Sequence, residues 1–268
     1  MADVHAALLA PLIDPWMATW RALGLAKLNQ MWLMRHMGYT LPTHEADLLA
    51  AAEAPVAPGT PLSQLPDPPM AIVRAFLGLR AVAAAGVEPA TSLPAAMSAT
   101  YTRRSAGDGN ETAGTPETCM VIFLDRCPDE SGTPTEPQAK QVPIHLVQAA
   151  FEAARASAHT HLVLVAPGKL SFKAAELVRS TSNTWVWPVA KLALVPQRHD
   201  AVHTHAALPP VDVKGLMEGM CIQPVELPSM KTSDPVATFS LWPPDTVVHC
   251  RRFMPDGGYF RLVRPAAR

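Results

Sequence analysis

The chain has 268 residues, of which 49% are hydrophobic and 17% charged, and its formal net charge is −1. That length is enough for one large core or two modest ones, and the near-neutral balance excludes a basic field over the whole surface, so a nucleic-acid contact would have to be local. No uncharged apolar run approaches the roughly 18 residues of a membrane span, Met1 to Leu12 lacks a positive n-region, and the four cysteines Cys119, Cys127, Cys221 and Cys250 show no CxxC spacing. The expectation is therefore a two-domain soluble protein from a reducing compartment, with no signal peptide and no membrane partner.

In chain order, Pro15 to Met37 reads as a helix with a broad apolar surface of Trp16, Trp20, Leu23, Leu28, Met31, Trp32 and Met34. Such a stripe is core, or core with one part facing a partner. Thr43 reads as a helix cap, with Glu45 and Asp47 in the first turn, where the helix dipole favours negative charge. That second helix ends near Glu53. Pro55 to Pro69 is a Pro-rich loop, and Met70 to Ala85 regains helical spacing through Ile72, Val73, Phe76, Leu77 and Leu79. Gly86 to Thr118 is rich in Ala, Gly, Ser, Thr and Pro and reads as a disordered insertion, because it offers little to offset ordering entropy.

The next block alternates. Cys119 to Leu124 is a short apolar run, Ile144 to Ala158 has helical spacing, His161 to Val165 is a second run, Phe172 to Val178 a second helix, and Trp185 to Val189 a further strand. Strands separated by helices of this size predict a parallel α/β unit with right-handed crossovers. Near the C-terminus, Asp234 is placed to cap a helix running from Pro235 to about Leu241, and Pro243-Pro244 stops it. Thr246 to Met254 reads as a strand, Pro255-Asp256-Gly257-Gly258 as a hairpin turn, and Tyr259 to Arg264 as the returning strand. Read from these residues alone, the segment is a small α+β module.

An ordered series of motifs adds a resemblance. Leu227-Pro228, Asp234-Pro235-Val236-Ala237, Val247-Val248, Gly258-Tyr259 and Arg261-Leu262-Val263 follow one another over roughly the last quarter of the chain. The series resembles the C-terminal signature of RNA polymerase subunit 5, shared by the eukaryotic nuclear polymerases, and of its smaller archaeal counterpart. Leu194-Val195-Pro196-Gln197-Arg198-His199 is similar to the E-L-V-P-x-H opening of that domain, with Ala193 in place of the Glu and the His one residue late. Gly38-Tyr39 with Thr43 and Glu45 resembles the motif linking the first two helices of the eukaryotic N-terminal domain.

The resemblance implies two domains. Residues 1–182 would form an α/β jaw of restriction-endonuclease-like topology, interrupted by the insertion at 86–118, and residues 183–268 a small α+β assembly domain. It further implies a non-catalytic subunit of a DNA-directed RNA polymerase, in the nucleus, without cofactor or metal. Its partners would be the largest subunit, other polymerase subunits and downstream double-stranded DNA. The largest-subunit contact falls on Leu194, Val195, Pro196, His199, Asp234, Pro235, Val236, Gly258, Tyr259 and Arg261. The family's DNA-facing loop falls on Lys169, Ser171 and Lys173, where free N–H groups at a helix start and two ammonium groups suit phosphate. The same letters also fit a solvated loop. Arg251, Arg252, Arg261, Arg264 and Arg268 fit either an acidic partner surface or a solvated face.

Trp242-Pro243-Pro244-Asp245 replaces the Gly-rich basic turn usual before the Val-Val strand. With the insertion and the alanine and proline bias, it points to a diverged lineage with a GC-rich genome, such as a large DNA virus whose polymerase would work in a viral factory or virion.

A nuclease-fold enzyme, degenerate or active, is the rival reading. Its Mg²⁺ site would need a carboxylate near a D/E-x-K on a strand, but Leu162-Val163-Leu164-Val165-Ala166-Pro167-Gly168-Lys169 carries no acid. Asp125 and Asp212-Val213-Lys214 are the remaining candidates. His199, His203 and His205 form a weak ligand-like cluster, and GxSxG, P-loop and GxGxxG motifs are absent.

Overall fold

The structure is a computed structural model and describes residues 15–55, 67–84, 97–104, 116–124, 141–199, 202, 204–251 and 258–265. Asp125, Cys127, His203, Arg252, Arg268 and the predicted Pro255-Asp256-Gly257 turn lie outside these residues, as does most of the Pro55 to Pro69 loop.

Helix α1 (Pro15–His36) ends where Gly38 adopts a φ of +81°. The Gly38 N–H bonds the Arg35 carbonyl at 3.0 Å and the Tyr39 N–H bonds that of Met34 at 2.9 Å, a closure that glycine makes without steric cost. Helix α2 (Thr43–Glu53) follows, but Thr43 does not cap it. Pro42 takes the cap position and no side chain caps the helix, so Thr43 becomes the first helical residue. The fixed φ of proline supplies the extended entry that a capping residue would otherwise give. Pro143 and Pro209 precede helices α4 (Ile144–Ala156) and α7 (Pro210–Met220) in the same way. Helix α3 (Pro68–Ala84) packs along α1.

The first sheet has the order β1 (Ala99–Arg104), β2 (Pro116–Phe123), β3 (His161–Ala166), β4 (Thr184–Pro188). Strands β2, β3 and β4 are parallel, connected through α4 and α5 (Phe172–Ser180), and β1 is antiparallel to β2. Alternation decides what covers each face. Cys119, Val121, Phe123, Val163, Val165 and Trp187 share a core with α1, α2 and α3, while Leu162, Leu164 and Ala166 share another with α4 and α5. Helices on both faces explain why β3 reads as an unbroken apolar run, and it is buried from Leu162 to Ala166.

Within Gly86 to Thr118, strand β1 corrects the expectation of disorder for residues 97–104 and 116–118, while 86–96 and 105–115 lie outside the described residues. Ala99–Arg104 is a strand paired along its length with β2, and Pro116 to Thr118 already belong to β2. Met97 and Tyr101 are both fully buried. Averaged over 33 residues, the composition hid two large side chains that suffice to fix a six-residue strand on a preformed edge.

The second sheet has the order β5 (Thr204–Ala207), β7 (Val247–Arg251), β8 (Gly258–Arg264), β6 (Ser229–Lys231). Helix α7 packs through Met217 with Leu227, Val247 and Leu262, and Met230, Val248, Cys250 and Val263 pack with Ala237. The boundary expected after residue 182 falls just ahead of β4, which stays with the first sheet. The path to the second sheet runs through the one-turn helix α6 (Val189–Leu192) and a 3₁₀ turn at Pro196–Arg198.

Candidate assembly surface and nucleic-acid loop

The C-terminal motif residues fall into two groups, those that build the surface and those that can present it. Asp234 builds. Its Oδ1 accepts the Val236 N–H at 2.9 Å, with Pro235 at the first position of α8 (Pro235–Phe239), as the sequence predicts. Val236 is only 8% exposed and Val195 only 6%, so their side chains lie largely in the protein's own core. Leu194, between buried Leu192 and Val195, is 83% exposed. Pro235, Gly258 and His199 are exposed as well, and Pro196, Tyr259 and Arg261 are half-buried.

The hairpin explains Gly258. A Cβ there would stand 2.5 Å from Nε2 of His249, whose ring stacks on Phe260 with centroids 4.8 Å apart. Tyr259 faces Cys250 across the ladder, and the Arg261 guanidinium lies 5.2 Å from the Tyr259 ring centroid. Burial pushes the Cys250 thiol above its ordinary value, opposed by a hydrogen bond with Tyr259.

The predicted DNA loop lies at the carboxyl end of β3, between Ala166 and α5. Ser171 caps α5 weakly, its Oγ accepting the Ala174 N–H at 3.4 Å. Two backbone bonds pin the loop: Val142 N–H to the Lys169 carbonyl at 2.8 Å, and Ser171 N–H to the Val142 carbonyl at 3.0 Å. Lys169 and Lys173 are exposed on either side of Ser171, and Phe172 between them is 75% exposed. A pinned backbone with two free-standing ammonium groups at a helix start can receive an anion without rearrangement.

Sequence reasoning missed a buried polar network. Lys27, in the middle of the apolar surface of α1, is fully buried, with Nζ 2.7 Å from Glu45 Oε1, 2.7 Å from the Met97 carbonyl, 2.9 Å from Gln30 Oε1 and 3.0 Å from the Tyr101 hydroxyl. Tyr101 donates to Glu45 Oε2 at 2.7 Å. Burial pushes the Lys27 pKa down, with Glu45 acting against it. The available signals were a lysine inside an apolar stripe and the Glu45 of the Gly-Tyr motif. A second missed set joins Asn29 and Arg198, whose Nη1 donates to Asn29 Oδ1 at 2.7 Å.

The nuclease arrangement finds no carrier among the described residues. Asp212 and Lys214 lie on helix α7, on the second sheet's side of the molecule, not on a strand. No group of three or more His, Cys, Asp or Glu among these residues is placed to hold a metal ion, and no described helix is long and apolar enough to cross a membrane.

Comparison with known proteins bears on the second sheet. No curated protein matches the chain. Residues 195–263 match the family described as RNA polymerase Rpb5, C-terminal domain. The matched range starts at the buried Val195 ahead of the 3₁₀ turn, takes in β5 to β8 with helices α7 and α8, and closes at Val263 in the last strand. Over residues 195–263 the chain is therefore similar to the C-terminal domain of RNA polymerase subunit 5.

Proposed function

We propose that the protein is a non-catalytic subunit of a DNA-directed RNA polymerase, anchored to the largest subunit through its second sheet. The carrying observation is the family match over residues 195–263, together with the exposed Leu194 at its threshold. A leucine that open to water on a short structured turn suits an apolar pocket on a partner. Pro196, His199, Pro235, Gly258, Tyr259 and Arg261 would complete the contact, with Asp234 holding the helix start in place. In this reading the first sheet is the jaw, of endonuclease-like topology, and the loop with Lys169, Ser171 and Lys173 lies toward downstream DNA. The site of action follows the polymerase it joins, in the nucleus or in a viral factory.

Lysine contacts to phosphate carry no base readout, so the loop's contribution should be independent of DNA sequence and sensitive to salt. Leu194→Asp should abolish recovery of the protein with the largest subunit in a reconstituted assembly, while leaving the fold intact. Lys169→Glu with Lys173→Glu should leave assembly intact, weaken retention of downstream DNA and flatten its log–log salt dependence by about 1 per lysine. Unchanged assembly by Leu194→Asp refutes the anchor, and unchanged salt stability of the elongation complex in the double variant moves the DNA contact elsewhere.

A further inference from the structure

The two sheets have largely separate cores, yet one buried side chain of the first domain reaches the segment that connects them. Asn29 on α1 is 4% exposed, and both of its polar atoms are taken by the segment leading into the second sheet. Its Nδ2 donates to the Leu192 carbonyl and its Oδ1 accepts from Arg198 at 2.7 Å. Arg198, itself exposed, also lies against two further groups of the first domain. Its guanidinium lies 5.4 Å from the Trp32 ring centroid and 4.0 Å from Glu53 Oε1, a carboxylate that Arg35 already fixes with bonds of 3.0 and 2.8 Å. On the other side of the same segment, Gln197 donates to the Val236 carbonyl at 3.3 Å, and from β4 the Trp187 indole donates directly to the Thr238 carbonyl at 3.0 Å. The connecting segment is therefore bonded to α1 on one side and to α8 on the other, over an apolar seam that runs from Leu28 to Phe239.

The geometry points to a clasp, formed by Asn29 and Arg198, that locks the two sheets into one rigid lever. A connection whose backbone and side chains were free would let the sheets swing, which is the default for two domains in one chain. Here a swing would leave the Asn29 amide buried without either partner and strip Arg198 of its carboxylate and its aromatic face. The direction of the Lys169 loop is then set by whatever holds residues 195–263. That consequence rests on the polymerase reading, but the rigidity itself does not.

The test uses the full-length protein in isolation, so it does not depend on any partner. Backbone residual dipolar couplings and ¹⁵N relaxation are measured for the two sheets separately. In the wild type, one alignment tensor and one rotational correlation time should fit both. In Asn29→Ala with Arg198→Ala, the two sheets should require different tensors, and the apparent correlation time of each should fall. Two tensors in the wild type overturn the inference, and so does a single shared tensor in the double variant. If the double variant does not fold, the wild-type couplings decide the matter alone.

Discussion

The most consequential side chain in the first domain is Lys27. Its partners Glu45 and Tyr101 lie 18 and 74 residues away, so the pair was invisible to reasoning that works within a helix or a turn. Replacing the lysine by Met leaves Glu45 buried without its counter-ion and should destabilise the protein by about 3–5 kcal/mol in urea denaturation. Adding Glu45→Leu should recover a large part of that loss, and failure to recover it would show that the carboxylate is not the cause. Caps are the opposite case, since their chemistry is local. Asp234 and Ser171 were legible in the sequence, and Asp234→Ala should cost about 1 kcal/mol. Thr43 was not, because a proline one residue earlier takes the position that a capping side chain would need.

Three histidines set an acid limit at the same scale. Burial lowers the pKa of His36, His159 and His161 from the ordinary 6.5; beside His161, Glu117 pulls upward and Arg103 further down. Between pH 6.5 and the lower folded values, the unfolded chain binds more protons than the folded one, so stability falls as pH falls through that window. The thermal midpoint should therefore drop from pH 7.5 to 5.5, and His161→Phe should shrink the drop. An unchanged pH profile in that variant would remove His161 from the account.

Among the elements, β1 carries the main lesson. Six residues inside a stretch that looks too poor to fold are ordered because β2 offers a complete edge and the Lys27 network offers a partner for the Tyr101 hydroxyl. Deleting Gly86 to Thr118 should therefore cost a large part of the first domain's stability, where the composition alone predicted no effect. A melting temperature unchanged by that deletion would contradict the packing of Met97 and Tyr101. The strands and helices from β2 to β4 were legible because covered strands alternate with amphipathic helices. Helix α7 and strand β5 were not. Gly215 and Gly219 weaken the helical signal, Met217 is the one buried side chain described on α7, and Thr204–Ala207 is a short, mostly exposed edge strand that only pairing with β7 defines.

Across the whole molecule, the second sheet has cores of its own but borrows cover from the first domain. Val195, Phe239 and Leu241 pack in the same cluster as α1, and Leu241 has a φ of +57°, a conformation costly for a residue that carries a Cβ. A fragment of residues 195–268 should keep its sheet by circular dichroism yet melt below the full-length chain, since those three side chains lose their cover. The motifs that locate this domain in sequence are those that build its turns and helix start, which is why its similarity to the subunit 5 domain was readable while the Asn29 and Arg198 bonds to the connecting segment were not. Whether the protein works as a polymerase subunit is decided by purification of the tagged full-length protein from its native source with quantitative mass spectrometry: RNA polymerase subunits in stoichiometric amounts, including the largest, are the expected result, and a monomer free of them that cleaves DNA when given Mg²⁺ would contradict it.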